Sequence, residues 1–106
     1  MNQKEKHIIA LIKSKIQGKN PEADIILFGS HARGTANENS DWDILILLKS
    51  PNVSRKIEQE YRHELFDIEL ETGEPISTFV FSKNDWETKH SFTPFYYNIS
   101  REGIRI

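Results

Sequence analysis

Apolar residues along the chain fall into helical stripes and short strand-like runs, separated by clusters of glycine, proline and asparagine. From about Gln3 to Gln17, the positions Ile8, Ile9, Leu11, Ile12 and Ile16 lie on one helical face. Gly18, Asn20 and Pro21 then stop that helix. Ala23 to Phe28 is a short apolar run ending at Gly29, the pattern of a buried strand. Ser30 to about Asn37 predicts one or two helical turns after a tight bend, and Asn37-Glu38-Asn39-Ser40 is polar loop. Asp41 to Leu48 reads as a second strand. It is apolar on both faces beyond its first three residues, which places it centrally in a sheet.

Pro51-Asn52 breaks the chain and Ser54 fits the N-cap of the next helix. Ile57, Tyr61, Leu65 and Ile68 recur at helical spacing, with Gly73 as terminator. Phe66 to Glu71 also alternates with period two, as a hairpin strand would; the stripe running from Ile57 through Ile68 favours helix. Ile76 to Phe81, rich in β-branched and aromatic residues, predicts a third strand. Ser82 caps a short helix around Asp85 to Lys89. Thr93-Pro94 starts a last helix that Gly103 ends, and Ile104-Arg105-Ile106 adds a short edge strand. Strands alternating with helices indicate an α/β or α+β layered domain. The 106 residues fit one domain, 1–106, with no internal repeat or linker.

Composition narrows the classes. With 37% hydrophobic and 28% charged residues, the chain reads as a soluble globular protein. A formal net charge of −2 argues against a broad non-specific grip on nucleic acid, which needs a basic face. The absence of cysteine excludes disulfides, thiolate zinc sites and cysteine nucleophiles. Lys13 and Lys15 interrupt the N-terminal apolar run, so it does not read as a targeting segment. No stretch approaches the roughly 20 apolar residues of a membrane-spanning helix. A cytoplasmic location is the expectation.

The segment that carries chemistry is Leu27-Phe28-Gly29-Ser30-His31-Ala32-Arg33-Gly34, followed after a polar loop by Ser40-Asp41-Trp42-Asp43. A glycine at the end of a buried strand lets another group approach the backbone closely. The residues after it open a helix, whose unpartnered N–H groups attract phosphate. The Ser30 hydroxyl adds a hydrogen bond to a phosphate oxygen, and Arg33 supplies a fixed positive charge one turn on. Asp41 and Asp43, two positions apart in a strand, emerge on one face with Cα atoms roughly 6.6 Å apart. Two such carboxylates suit divalent ions, which sit about 3.5–4 Å apart in two-metal phosphoryl-transfer sites. Mg²⁺ fits because it prefers oxygen ligands and keeps waters for phosphates to replace. Ser40 either bonds a carboxylate or caps the loop. Alone, a Gly-Ser pair is ordinarily a turn and Asp-X-Asp ordinarily solvated surface. The ordered combination carries the reading, provided the two strands run antiparallel so that both ends face one cleft.

Gly29-Ser30, Ala32-Arg33-Gly34 and Ser40-Asp41-Trp42-Asp43 resemble the motif of the minimal nucleotidyltransferases of the DNA polymerase β superfamily. The resemblance extends over nearly the whole chain, including the closing Arg101-Glu102-Gly103-Ile104 segment, although only the motif is specific. It implies a nucleotidyltransferase fold, a small mixed β-sheet with helices packed on it. It also implies that Gly29, Ser30 and Arg33 hold triphosphate and that Asp41 and Asp43 bind Mg²⁺. The implied reaction transfers a nucleoside monophosphate, AMP from ATP, to a protein or small-molecule acceptor. Many minimal members are similar to antitoxins that act on a helical HEPN-domain toxin, which implies such a partner here. Two departures stand out. His31 occupies a position where relatives often carry arginine or another polar residue, and no role is assigned to it. Active relatives have a third carboxylate on a later strand, whereas Ile76 to Phe81 contains no acid. On the hairpin reading, Glu69 or Glu71 would supply it.

The remaining candidates read as structural. His7, His63 and His90 form no zinc-like cluster. Tyr61 belongs to its helix stripe, Trp42 points away from the aspartates, and Phe92, Phe95, Tyr96 and Tyr97 form core or lid packing, or a partner surface. The sequence supports a Mg²⁺-dependent nucleotidyltransferase without nucleic-acid template. The alternatives are a catalytically degenerate nucleotide-binding or partner-binding module and a bare nucleotide sensor.

Overall fold

A computed structural model describes residues 1–106. The first helix, α1 (Gln3–Lys19), begins at a capping box: Asn2 accepts from the Glu5 N–H, and Glu5 accepts in return from the Asn2 N–H. It buries Ile8, Ile12 and Ile16, one residue per turn. Strand β1 (Asp24–Phe28) runs directly into α2 (Gly29–Arg33). That helix is shorter than the expected span to Asn37, because Gly34 takes a left-handed conformation at φ 78° and ends it. Strand β2 (Trp42–Leu48) follows the polar loop.

Helix α3 (Arg55–Thr72) is capped by the Ser54 hydroxyl and terminated by Gly73 at φ 76°. It runs without a break through Phe66 to Glu71, so the hairpin alternative is not realised. Tyr61, Leu65 and Ile68 are its buried stripe. Strand β3 (Ile76–Ser82), helix α4 (Lys83–Thr88, capped by Ser82), helix α5 (Pro94–Glu102, capped by Thr93) and strand β4 (Ile104–Arg105) complete the chain.

The sheet has the order β3-β2-β1-β4. Strands β1 and β2 are antiparallel, as are β1 and β4, whereas β2 and β3 are parallel and joined by α3 as the crossover. The fold is therefore a four-stranded mixed sheet with helices on both faces. Strand β2 is an inner strand, as its unbroken apolar run predicts. Its alternate residues serve two cores. Trp42, Ile44, Ile46 and Leu48 pack with the buried stripes of α1 and α3. Leu45 and Leu47 pack with Phe28, Trp86 and Ile99 beneath α4 and α5. This alternation decides which way Asp43 points: it shares the α4–α5 side of the sheet with Leu45 and Leu47.

Candidate functional site

The antiparallel register sets Asp43 directly across from Phe28, the last residue of β1. The next residue, Gly29, has φ 76°, a conformation that side chains rarely adopt. A Cβ built there would lie 2.1 Å from Asp43 Oδ2, so the carboxylate occupies the space that any other residue would fill. The turn and the acid are thus in contact. Asp41 lies just outside β2 and is exposed, while Asp43 is half-buried. Burial, and then the Asp41 carboxylate beside it, push the Asp43 carboxyl above its ordinary range; His31 and Arg33 pull against that shift. The Asp41 carboxylate is thus near enough for its charge to act on Asp43.

Ser30 is half-buried and Arg33 exposed, both on α2. Arg33 does not stand free: its Nη1 donates to both oxygens of Glu102, at 3.2 and 3.1 Å. The Gly29 N–H also donates to Glu102 Oε1, at 3.4 Å. Glu102 arrives at this point because β4 pairs with β1 immediately after it, Ile104 opposite Leu27. The third acid near the pair is thus Glu102, from the end of α5. Glu69 and Glu71 do not take that place. Both belong to α3, on the other side of the sheet; Glu69 accepts from the Ile76 N–H and Glu71 is exposed. On β3, Ser77 stands opposite Asp43 and its hydroxyl donates to Asp41 Oδ2 at 3.3 Å. No three His, Asp or Glu side chains converge in a metal-holding cluster. The donor set is two carboxylates beside a glycine cradle. That set suits Mg²⁺, which takes one or two carboxylates and fills its other positions with water and phosphate oxygens.

A sequence model of the nucleotidyltransferase domain matches residues 9–99. The chain belongs to this family. No curated protein matches it. Among solved structures, this nucleotidyltransferase domain is similar to one described as a toxin–antitoxin with AMP-PNP, at TM-score 0.58 and 20% identity over 95% of this chain and 70% of that one. It is similar also to a mutant of the MntA–HpeT toxin–antitoxin, at TM-score 0.60 and 20% identity over 99% of this chain and 72% of that one. At this identity the likeness is one of fold.

Within the nucleotidyltransferase domain, two residues without an assigned role prove central to the site's construction. One is Glu102. The other is His31, which is buried and stacks on Trp42 with ring centroids 3.7 Å apart and planes 10° from parallel. Its Nδ1 faces Glu5 Oε2 at 3.3 Å and its Nε2 the Ser40 carbonyl at 3.4 Å. Ser40 itself caps the loop, accepting from the Asn37 N–H at 2.9 Å. The aspartates line neither of two hollows nearby. One of about 340 Å³ lies between α3 and β3, by His63, Phe66 and Thr78. Another of about 230 Å³ lies behind the site, by Glu5, His31, Trp42 and Glu74.

Proposed function

We propose that this unit, taken as one domain over 1–106, is a Mg²⁺-dependent nucleotidyltransferase that moves AMP from ATP to a hydroxyl of an acceptor. The observation that carries the reading is the contact between the Gly29 turn and Asp43, with Asp41 beside it. The backbone at Gly29 and Ser30, the Ser30 hydroxyl and the Arg33 guanidinium hold the triphosphate. Asp41 and Asp43 hold Mg²⁺, which when bound lowers the charge barrier at the α-phosphate. The acceptor oxygen bonds to the α-phosphorus, the bond from that phosphorus to the bridging oxygen breaks, and pyrophosphate leaves with that oxygen. The hydroxyl proton passes to solvent or to a nearby carboxylate.

The similar structures are described as toxin–antitoxin proteins, which supports a protein acceptor, in our reading a helical HEPN-domain toxin. A cytoplasmic setting, where ATP and Mg²⁺ are at hand, belongs to the same proposal; no helix is long and apolar enough to cross a membrane. Calorimetry with Mg²⁺ and a non-hydrolysable ATP analogue tests the site. Binding is expected for the wild type and lost in Asp41→Ala/Asp43→Ala, and unchanged binding in the double variant rejects the assignment. A second reading, a partner-binding module without transfer, draws on Ser77 standing opposite Asp43 where a further acid would complete the pair. Incubation with α-labelled ATP and the protein encoded beside it separates the two: label on the partner supports transfer, and complex formation without label supports the module.

A further inference from the structure

The side of the site away from solvent is built around one imidazole. His31 is the third residue of α2. Its neighbour Ser30 is half-buried and Arg33 is exposed, yet His31 keeps only 7% of its surface accessible. Burial of a polar ring demands partners, and both nitrogens have them, Glu5 Oε2 at 3.3 Å and the Ser40 carbonyl at 3.4 Å. No buried side-chain nitrogen or oxygen in the structure lacks a partner.

The placement of those partners is the point. The Ser40 carbonyl belongs to the peptide that joins Ser40 to Asp41, so its orientation fixes the backbone entering Asp41. The indole of Trp42, on which His31 lies flat, belongs to the residue between the two aspartates. Because strand residues alternate in direction, holding Trp42 on one side of the sheet holds Asp43 to the other. Trp42 is gripped at two further points: its N–H donates to the Pro75 carbonyl at 2.9 Å, and its Nε1 donates to Glu74 Oε2 at 3.4 Å. His31 in turn is anchored by Glu5, whose carboxylate also closes the α1 capping box.

We propose that His31 is a positioning residue for the Asp41/Asp43 pair, fixing both carboxylates through the Ser40 carbonyl and the Trp42 indole with Glu5 as its anchor. The inference rests on the metal-pair reading above and adds a residue that touches neither nucleotide nor metal. Simple packing does not account for this residue: a phenylalanine ring would stack on Trp42 as well, and only an imidazole also reaches Glu5 and the Ser40 carbonyl.

The test compares wild type, His31→Phe, Glu5→Gln and Asp41→Ala/Asp43→Ala, with Mn²⁺ as the probe. Mn²⁺ affinity is read by titration calorimetry or electron paramagnetic resonance, and thermal melts are recorded in parallel. His31→Phe keeps the flat ring and loses both polar contacts. Support groups behind metal ligands typically contribute 10–100-fold in affinity. A weakening of about that size is expected in His31→Phe, measured well below its melting temperature, and a smaller one in Glu5→Gln. A lowered melting temperature with unchanged Mn²⁺ affinity overturns the proposal and leaves the metal pair standing. Wild-type affinity in Asp41→Ala/Asp43→Ala overturns the metal pair and the proposal with it. Should His31→Phe fail to fold, Glu5→Gln decides, since unchanged Mn²⁺ affinity there also overturns the proposal.

Discussion

Replacing Gly29 by alanine separates backbone strain from damage to the site. Gly29 opens α2 and Gly34 ends it, with nearly equal left-handed angles, φ 76° and 78°. An L side chain in that region costs about 1–2 kcal/mol. With an unfolding entropy of about 2.1 cal/mol/K per residue over a chain of this length, that cost lowers the melting temperature by about 5–9 °C. Both Gly29→Ala and Gly34→Ala are expected to show this loss. They differ in what the new methyl meets. At Gly34 nothing lies within 4 Å, whereas at Gly29 the methyl falls 2.1 Å from Asp43 Oδ2 and 3.0 Å from its Cγ. A carboxylate is the free end of a flexible side chain, so Asp43 swings away rather than the backbone giving. Gly29→Ala is therefore expected to lose Mn²⁺ affinity by at least about tenfold, the scale of disturbed ligand geometry. Gly34→Ala keeps its affinity. Calorimetric titration with parallel melts reads both quantities. Equal Mn²⁺ affinity in the two variants would refute the argument that Gly29 is required by Asp43.

Three further outcomes follow from the same geometry. Asp43 has a raised folded-state value, so its stabilising contribution is present below the unfolded value and is lost as pH rises through the folded one. Asp43→Asn is thus expected to stabilise the fold at neutral pH without divalent cation, by less than about 1 kcal/mol for a half-exposed carboxylate, seen as a raised melting temperature. The gain disappears below about pH 4, and a lower neutral-pH melting temperature contradicts it. Glu102→Gln removes a negative charge from Arg33 and the Gly29 N–H. Triphosphate binding is expected to tighten by roughly 1 kcal/mol, about fivefold, in calorimetry; weaker binding would mean instead that Glu102 holds Arg33 in its productive orientation. Gly103→Ala places a methyl 2.6 Å from the Ile99 carbonyl and 2.8 Å from Ile26 Cγ2. A cost of about 1–3 kcal/mol is expected in chemical denaturation, with faster hydrogen exchange at the Ile106 N–H, which bonds to the Ile25 carbonyl.

The helices were legible in the sequence because their stripes and caps are local. Gly73 ends its helix with the left-handed angle its residue type suggests, whereas Asn20 and Gly103 end theirs in extended backbone, and at Gly103 it is the close approach of Ile26 that leaves no room for a side chain; Ser54, Ser82 and Thr93 cap their helices as expected. The period-two alternation at Phe66 to Glu71 arises because α3 carries Phe66 and Leu70 exposed on its otherwise polar face, and the longer stripe rightly outweighs it. The early end of α2 depends on the left-handed angle at Gly34, which residue type permits but does not impose. Pairing is a different matter. The apolar run of β2 marks an inner strand, yet nothing in it says that β3 joins in parallel and β4 at the far edge. The Gly29–Asp43 contact was readable, since both stand at facing ends of consecutive strands, joined by only α2 and a short polar loop. His31 and Glu102 were not: their partners lie 26 and 73 residues away, at Glu5 and Gly29, and such contacts leave no periodic trace.

Strand β2 is hydrogen-bonded along both flanks and covered on both faces. An acid rooted at the head of such a strand has no loop of its own to ride on, so the backbone that carries Asp43 belongs to the floor of the site. Whatever opens or shuts around a ligand has to be the rim, where Arg33 and Glu102 reach across from separate helices. On the proposed reading, motion at that rim would govern admission while the strand beneath keeps its place.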